Sequence, residues 1–97
     1  MNQNICEAIK NKKIIEFYFK NGTRIAEPYC YGLSKKGKEV LRAYQVGGYS
    51  ESNNPQGWRL FDLDYIQNLT ITDQEFTNNR HEYNPNDSAM SQIFCNI

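Results

Sequence analysis

The segment Ile14-Ile15-Glu16-Phe17-Tyr18-Phe19-Lys20-Asn21-Gly22-Thr23-Arg24-Ile25-Ala26-Glu27-Pro28 decides the fold. Up to Lys20 it alternates, with Ile15, Phe17 and Phe19 on one face and Ile14, Glu16 and Tyr18 on the other, the period of a half-buried strand. Asn21-Gly22 follows, the pair that a two-residue type I′ hairpin prefers because both of its central residues take positive φ. The expected register sets Lys20 opposite Thr23, Phe19 opposite Arg24, Tyr18 opposite Ile25 and Phe17 opposite Ala26. Arg24 then stands against an aromatic ring, its stem packed and its head free. Pro28 has no N–H to donate and so marks an end, an edge or a bend of the second strand.

On the N-terminal side, Ile5, Ala8 and Ile9 recur at helical spacing, with Asn4 and Glu7 as a capping pair, which predicts a short amphipathic helix over residues 4–11. So short a helix persists only when packed on the sheet. On the C-terminal side, residues 29–33 resume as a strand, Lys35-Lys36-Gly37-Lys38 turns, and residues 40–46 return. There Arg42 and Tyr44 share one face and Leu41 and Ala43 the other. Residues 47–57 form a polar loop with Tyr49 as its one apolar anchor, the segment freest to move. Residues 58–63 predict a further strand, 62–66 a turn, and 67–72 a last strand with Leu69 and Ile71 on one face.

The expected fold is therefore mainly β: a small five-stranded Sm-like (SH3-like) barrel over residues 1–76, led by a short helix. Residues 77–97 read as a polar C-terminal extension, in which Asp87 or Ser88 caps a short helix presenting Met90, Ile93 and Phe94. Seven Tyr, five Phe and one Trp suit half-buried strands. A chain of 97 residues makes one domain, with little depth for a separate active site.

Charge sums to zero, yet residues 1–48 hold nine Lys and Arg against four Asp and Glu, while residues 49–97 hold two against seven. Such asymmetry fits either a basic face for a polyanion or halves that interleave and mix their charges. No apolar run approaches the roughly 20 residues of a membrane span, and the start lacks the pattern of a secretory leader, so the expected location is cytoplasmic. Cys6, Cys30 and Cys95 lie far apart without C-x-x-C spacing, which points to reduced, partly buried thiols rather than zinc.

No enzyme motif is present: no Gly-rich phosphate loop with a following lysine, no G-x-S-x-G, no H-E-x-x-H, and no base beside Cys30. The lone His81 reads as a surface residue. What stands out is Arg24, Arg42 and Arg59, one on each of three predicted strands, with Tyr44, Tyr18 and Trp58 around them. Guanidinium forks hold phosphate bidentately, and rings offer base stacking worth about 1–3 kcal/mol each. The competing role is structural: salt bridges to Glu16, Glu27 or Asp62 for the arginines, and core or rim packing for Trp58 and Tyr18. The Lys35–Lys38 turn offers either a phosphate contact or a solvated tip.

The order of these blocks resembles the WYL domain, an Sm-like barrel of bacterial regulators, over about residues 5–76. The match runs through Ile5, Ala8, Ile9, Ile14, Phe17 and Tyr18, then Arg24 and Pro28, then Leu41, Ala43 and Tyr44, then Arg59, Leu60, Ile66, Leu69 and Phe76. The family's Trp-Tyr pair is here Glu39-Val40, and the basic residue it often carries before its isoleucine is Tyr65. The resemblance implies a stand-alone, divergent, ligand-sensing or transcription-regulating module of bacterial or phage origin, with Arg24, Arg59 and Tyr44 at the binding surface. Arg42 joins them by strand periodicity.

The expected function is thus a non-enzymatic, cofactor-free module that binds single-stranded nucleic acid or a nucleotide through an arginine/aromatic face. Two alternatives stand beside it. One is an interaction module that self-associates through the terminal Met90, Ile93 and Phe94 face or a barrel edge. The other is a small-nucleotide sequestering protein with the 47–57 loop as lid.

Overall fold

The computed structural model describes residues 2–77, 80 and 82–97. It is mainly β, with a helix α1 (Gln3–Lys10) and six strands: β1 (Lys13–Phe19), β2 (Gly22–Ser34), β3 (Glu39–Gly48), β4 (Gly57–Asp62), β5 (Ile66–Glu75) and β6 (Met90–Asn96). One antiparallel sheet runs in the order β4-β3-β2-β1-β5, and β6 joins it by pairing with β2. A 3-10 turn, Leu63–Tyr65, connects β4 to β5, with the Asp62 side chain accepting from the Asp64 amide. No ladder between β4 and β5 closes the sheet, so the five-stranded closed barrel of the sequence reading becomes an open sheet of six strands.

Alternation places the core where the sequence predicts it. Ile15, Phe17 and Phe19 of β1 face inward with Leu41 and Ala43 of β3, and Phe61 of β4 meets both Phe17 and Phe19 edge-on at 4.9 Å. The helix buries Ile5, Ala8 and Ile9 against this layer. Its cap is Asn2, whose side chain accepts from the Ile5 amide, rather than Asn4. Asn2 is in turn fixed by its own amide, which donates to the Tyr31 hydroxyl at 2.7 Å.

The β1–β2 hairpin differs in register. Phe17 pairs with Arg24 and Phe19 with Gly22, two residues off the expected pairing, so Lys20-Asn21 makes the turn. Lys20 takes φ 55°, while Asn21 and Gly22 keep out of the left-handed region. The cause is tertiary. A Cβ on Gly22 would lie 2.3 Å from the Tyr49 Cβ, and the Tyr49 amide donates to the Thr23 carbonyl at 2.8 Å. Gly22 is needed in the strand, under Tyr49, and is lost to the turn. A shift of two residues preserves the faces, so Arg24 still points with the inward set.

Strand β2 changes partner along its length. It pairs with β1 as far as Ala26, slips its β3 register between Pro28 and Cys30, and pairs with β6 from Cys30 to Ser34. Pro28 sits in the gap, at the bend where no donor is required. The bend accounts for the C-terminal segment, where residues 90–96 form β6 instead of the expected helix. Once β1 has peeled away, the edge of β2 has unpaired backbone groups, and a segment carrying Ile93, Phe94 and Cys95 satisfies them better as a strand. Gly32 permits the approach, since a Cβ there would lie 2.1 Å from the Gln92 carbonyl oxygen.

The cysteines also differ from expectation. Cys6 of α1 and Cys95 of β6 form a disulfide, with Cα atoms 5.7 Å apart across a sequence separation of 89. Both elements dock on β2, which brings these distant residues within bridging reach. Cys30 stays free and buried, its sulfur 3.6 Å from that of Met90. The two charge halves interleave: Lys13–Glu75, Lys38–Asp64, Arg42–Asp87 and Arg80–Glu27 each pair one half with the other. Among the described residues, no helix is long and apolar enough to cross a membrane. His81 lies outside the described residues.

Candidate functional site

The six residues singled out in the sequence separate onto different surfaces. On β3, Leu41, Ala43 and Gln45 point inward and Arg42 and Tyr44 outward. On β4 the inward set is Arg59 and Phe61, with Trp58 on the outer side. Arg24 and Arg59 therefore meet on the inner side at one end of the sheet, and Arg42, Tyr44 and Trp58 gather on the other face. Tyr18, 40 % exposed, lies apart, beside Glu16, Thr23 and Thr70. A single face made of Arg24, Arg42, Tyr44 and Arg59 does not form.

The outer group is occupied by the C-terminal segment. Arg42 donates to both carboxylate oxygens of Asp87, at 2.7 and 3.2 Å. Burial, the largest single influence, acts to raise the Asp87 carboxyl, but the Arg42 hydrogen bond, the Ala89 amide and the Arg42 charge together outweigh it and hold the group below the usual aspartate value. The Tyr44 ring is covered by Arg80, whose guanidinium carbon lies 3.6 Å from the ring centroid while its nitrogens donate to Glu27. Trp58 packs edge-on against Tyr44 and Tyr29 and stacks on Tyr83. A recess of about 240 Å³ beside Arg42 and Trp58 remains, lined also by Glu82, Tyr83 and Asp87. Its arginine is already matched by a carboxylate.

The inner pair behaves differently. Lys20, Arg24, Arg59, Ser50, Glu51 and Ser52 line a recess of about 230 Å³, with Phe19, Leu60 and Phe61 as its apolar wall. Arg24 is 5 % exposed, and its guanidinium lies between 5.2 and 6.0 Å from the ring centroids of Phe19, Tyr49 and Phe61. Two of its nitrogens donate weakly, to the Gln45 side-chain oxygen at 3.4 Å and the Phe19 carbonyl at 3.3 Å. Its Nε is buried with no hydrogen-bond partner among the described residues. Burial lowers the Arg24 guanidinium from its ordinary value, with Glu51 pulling it back up and Arg59 adding to the lowering. It nevertheless stays charged.

Arg59 donates to the carbonyls of Trp58 and Asn54, at 3.1 and 2.6 Å, and to the Ser50 hydroxyl at 3.5 Å. Among the described residues, neither Arg24 nor Arg59 forms an ion pair, and the expected bridges to Glu16, Glu27 or Asp62 are not made. The loop beside the recess is tied down: the fully buried Gln45 amide donates to the carbonyls of Gly47 and Tyr49, at 3.0 and 2.8 Å. The segment expected to be freest is thus held by a residue facing the site and by Arg59 itself.

Lys20, Glu51 and Gln45 are site residues that pattern reading misses. Gln45 had a signal, since it continues the inward series Leu41, Ala43 as a polar residue in an apolar position. Lys20 and Glu51 had none, because both depend on how the turn and the loop fold over the sheet. Comparison with known proteins gives no match: no family model, no curated protein and no solved structure is similar to this chain at a significant level. Function must be argued from these side chains.

Proposed function

We propose that this chain is a non-catalytic ligand-binding module, regulatory or accessory in role, whose Arg24–Arg59 recess takes a phosphate-bearing ligand, a nucleotide or single-stranded nucleic acid. The observation that carries the reading is Arg24 itself, a buried guanidinium that among the described residues forms no ion pair, with its Nε unmet. A buried charged donor left unsatisfied costs more than the roughly 1–3 kcal/mol of a neutral one, and an anion supplied by a ligand removes that cost. Arg59 and Lys20 add positive charge at the same recess, and Ser50 and Ser52 add hydroxyls. The WYL-like order of blocks, in which Arg24 and Arg59 fall on binding positions, agrees with it.

Tyr44, Trp58 and Arg42 serve in this reading as packing for the outer face. The rings left for a base near the recess are Tyr49 and Tyr65, 41 % and 52 % exposed. A recess of this size favours a nucleotide over a long strand. Salt discriminates between them, because polynucleotide affinity falls steeply as counterions are released and a mononucleotide responds weakly. The test is equilibrium binding of nucleoside monophosphates and short single-stranded oligomers at two salt concentrations, with Arg59→Ala. Unchanged binding in the variant removes the recess as the site.

Self-association is the second reading, and its favoured surface changes. Met90 is buried, Ile93 packs with the Cys30 cluster, and Phe94 packs on Tyr31 at 5.2 Å, so the terminal face is spent inside the fold. Among the described residues, the outer edges of β4, β5 and β6, each paired on one side only, are what remain for it. A cytoplasmic setting would expose the Cys6–Cys95 bond to reduction. The recess does not depend on that bond, since neither cysteine lines it.

A further inference from the structure

We infer that the recess selects a terminal phosphomonoester over an internal phosphodiester, whether that phosphate ends an oligonucleotide or belongs to a nucleoside monophosphate. The inference rests on the reading that the recess takes a phosphate-bearing ligand. Charge is the first argument. Three cations, Lys20, Arg24 and Arg59, and one carboxylate, Glu51, line the recess, leaving two positive charges uncompensated. A phosphomonoester carries about −1.5 to −2 at neutral pH, whereas each phosphodiester carries only one negative charge.

Donor count points the same way. A monoester presents three terminal oxygens and a diester two. Arg24 offers an Nε with no partner and nitrogens held only by the long contacts to Gln45 and Phe19. Lys20 has its ammonium 5.0 Å from the Tyr65 ring and 5.5 Å from that of Phe19, and among the described residues it forms no ion pair. Three rings surround the buried Arg24 guanidinium, so little side-chain freedom is left to lose when an anion arrives.

Size is the third argument. About 230 Å³ falls below the roughly 300–1,000 Å³ of pockets that enclose a drug-sized molecule. A head group fits inside and the rest of the ligand lies outside. A phosphate at the end of a chain can enter in this way, whereas an internal one must bring its neighbours on both sides with it.

The experiment measures fluorescence anisotropy of a short oligothymidylate labelled at its 3′ end and carrying either a 5′-phosphate or a 5′-hydroxyl, with AMP and adenosine as competitors. The 5′-phosphate form is expected to bind about ten- to a hundredfold tighter, the range of a charged hydrogen bond. Adenosine should not compete. Displacement by AMP identifies a mononucleotide as sufficient, and its failure to compete assigns the site to strand ends; either supports the inference. Arg59→Ala and Lys20→Asn should each narrow the difference between the two ends. Lys20 is exposed and asparagine tolerates its positive φ, so the second variant keeps the fold. Equal affinity for both ends, lost together in Arg59→Ala, overturns the inference and leaves the recess reading standing. Binding of no probe overturns both.

Discussion

Reducing the Cys6–Cys95 bond should destabilise the protein by an amount set by the chain it closes. The two residues are 89 apart in sequence, so the bond restrains nearly the whole unfolded chain. The chain-entropy relation gives about 4–5 kcal/mol for a loop of that size, close to the entire stability of many small domains. With a urea slope of roughly 1–3 kcal/mol per molar, the midpoint should fall by about 1.5–4.5 M. The assay is urea unfolding followed by tryptophan fluorescence, comparing the oxidised protein with the Cys6→Ser/Cys95→Ser variant. Trp58, packed between Tyr29, Tyr44 and Tyr83, reports the outer face. A midpoint shift worth under about 1 kcal/mol would refute the reasoning, and would mean that the unfolded chain already keeps its two ends near each other without the bond.

Three further outcomes follow from particular contacts. Asp87→Asn should cost about 2–3 kcal/mol near neutral pH by leaving Arg42 without its carboxylate. Because the native Asp87 value is lowered, its contribution is complete above the ordinary aspartate value and is lost as pH falls through the lower native one. The stability gap between wild type and variant should therefore close in acid, as read by unfolding curves from neutral pH downward. Cys30, whose thiol burial pushes up to about 11, should resist iodoacetamide at pH 8 in the native protein and react once it is denatured, as read by mass. Gly32→Ala should cost about 1–3 kcal/mol or more by driving a methyl into the Gln92 carbonyl, with amide exchange in β6 rising first.

Local patterning makes much of this architecture legible. The inward rows Ile15, Phe17, Phe19 and Leu41, Ala43 follow from alternation, and Ile5, Ala8, Ile9 from helical spacing, because each depends on near neighbours alone. What escapes depends on partners far along the chain. The hairpin register answers to Tyr49, which lies over Gly22. Met90, Ile93 and Phe94 share a face at helical spacing, yet the open edge of β2 decides their conformation. The disulfide exists only because α1 and β6 reach the same end of β2.

The candidate site divides in the same way. That Arg59 goes with Phe61, and Arg42 against Leu41 and Ala43, can be read from strand parity, so the separation of the three arginines is implicit in the sequence. The destinations of Arg42 and Tyr44 are not. Asp87 and Arg80 come from the polar segment after Phe76, whose composition gives no hint that it covers the outer face. Nor does any local signal show Arg24 losing exposure beneath Tyr49.

The two ends of the described chain both anchor on β2, two residues apart: the Asn2 amide donates to the Tyr31 hydroxyl, and the Ile97 amide to the Tyr29 carbonyl. One strand thus holds both ends of the described segment. A short glycine-serine bridge joining residue 97 to residue 2, with new ends opened in the solvated turn at Lys36-Gly37, should give a circular permutant that keeps every ladder of the sheet. In that rearranged chain β6 and α1 become sequence neighbours, and the contacts that now await completion of the whole chain form between adjacent segments.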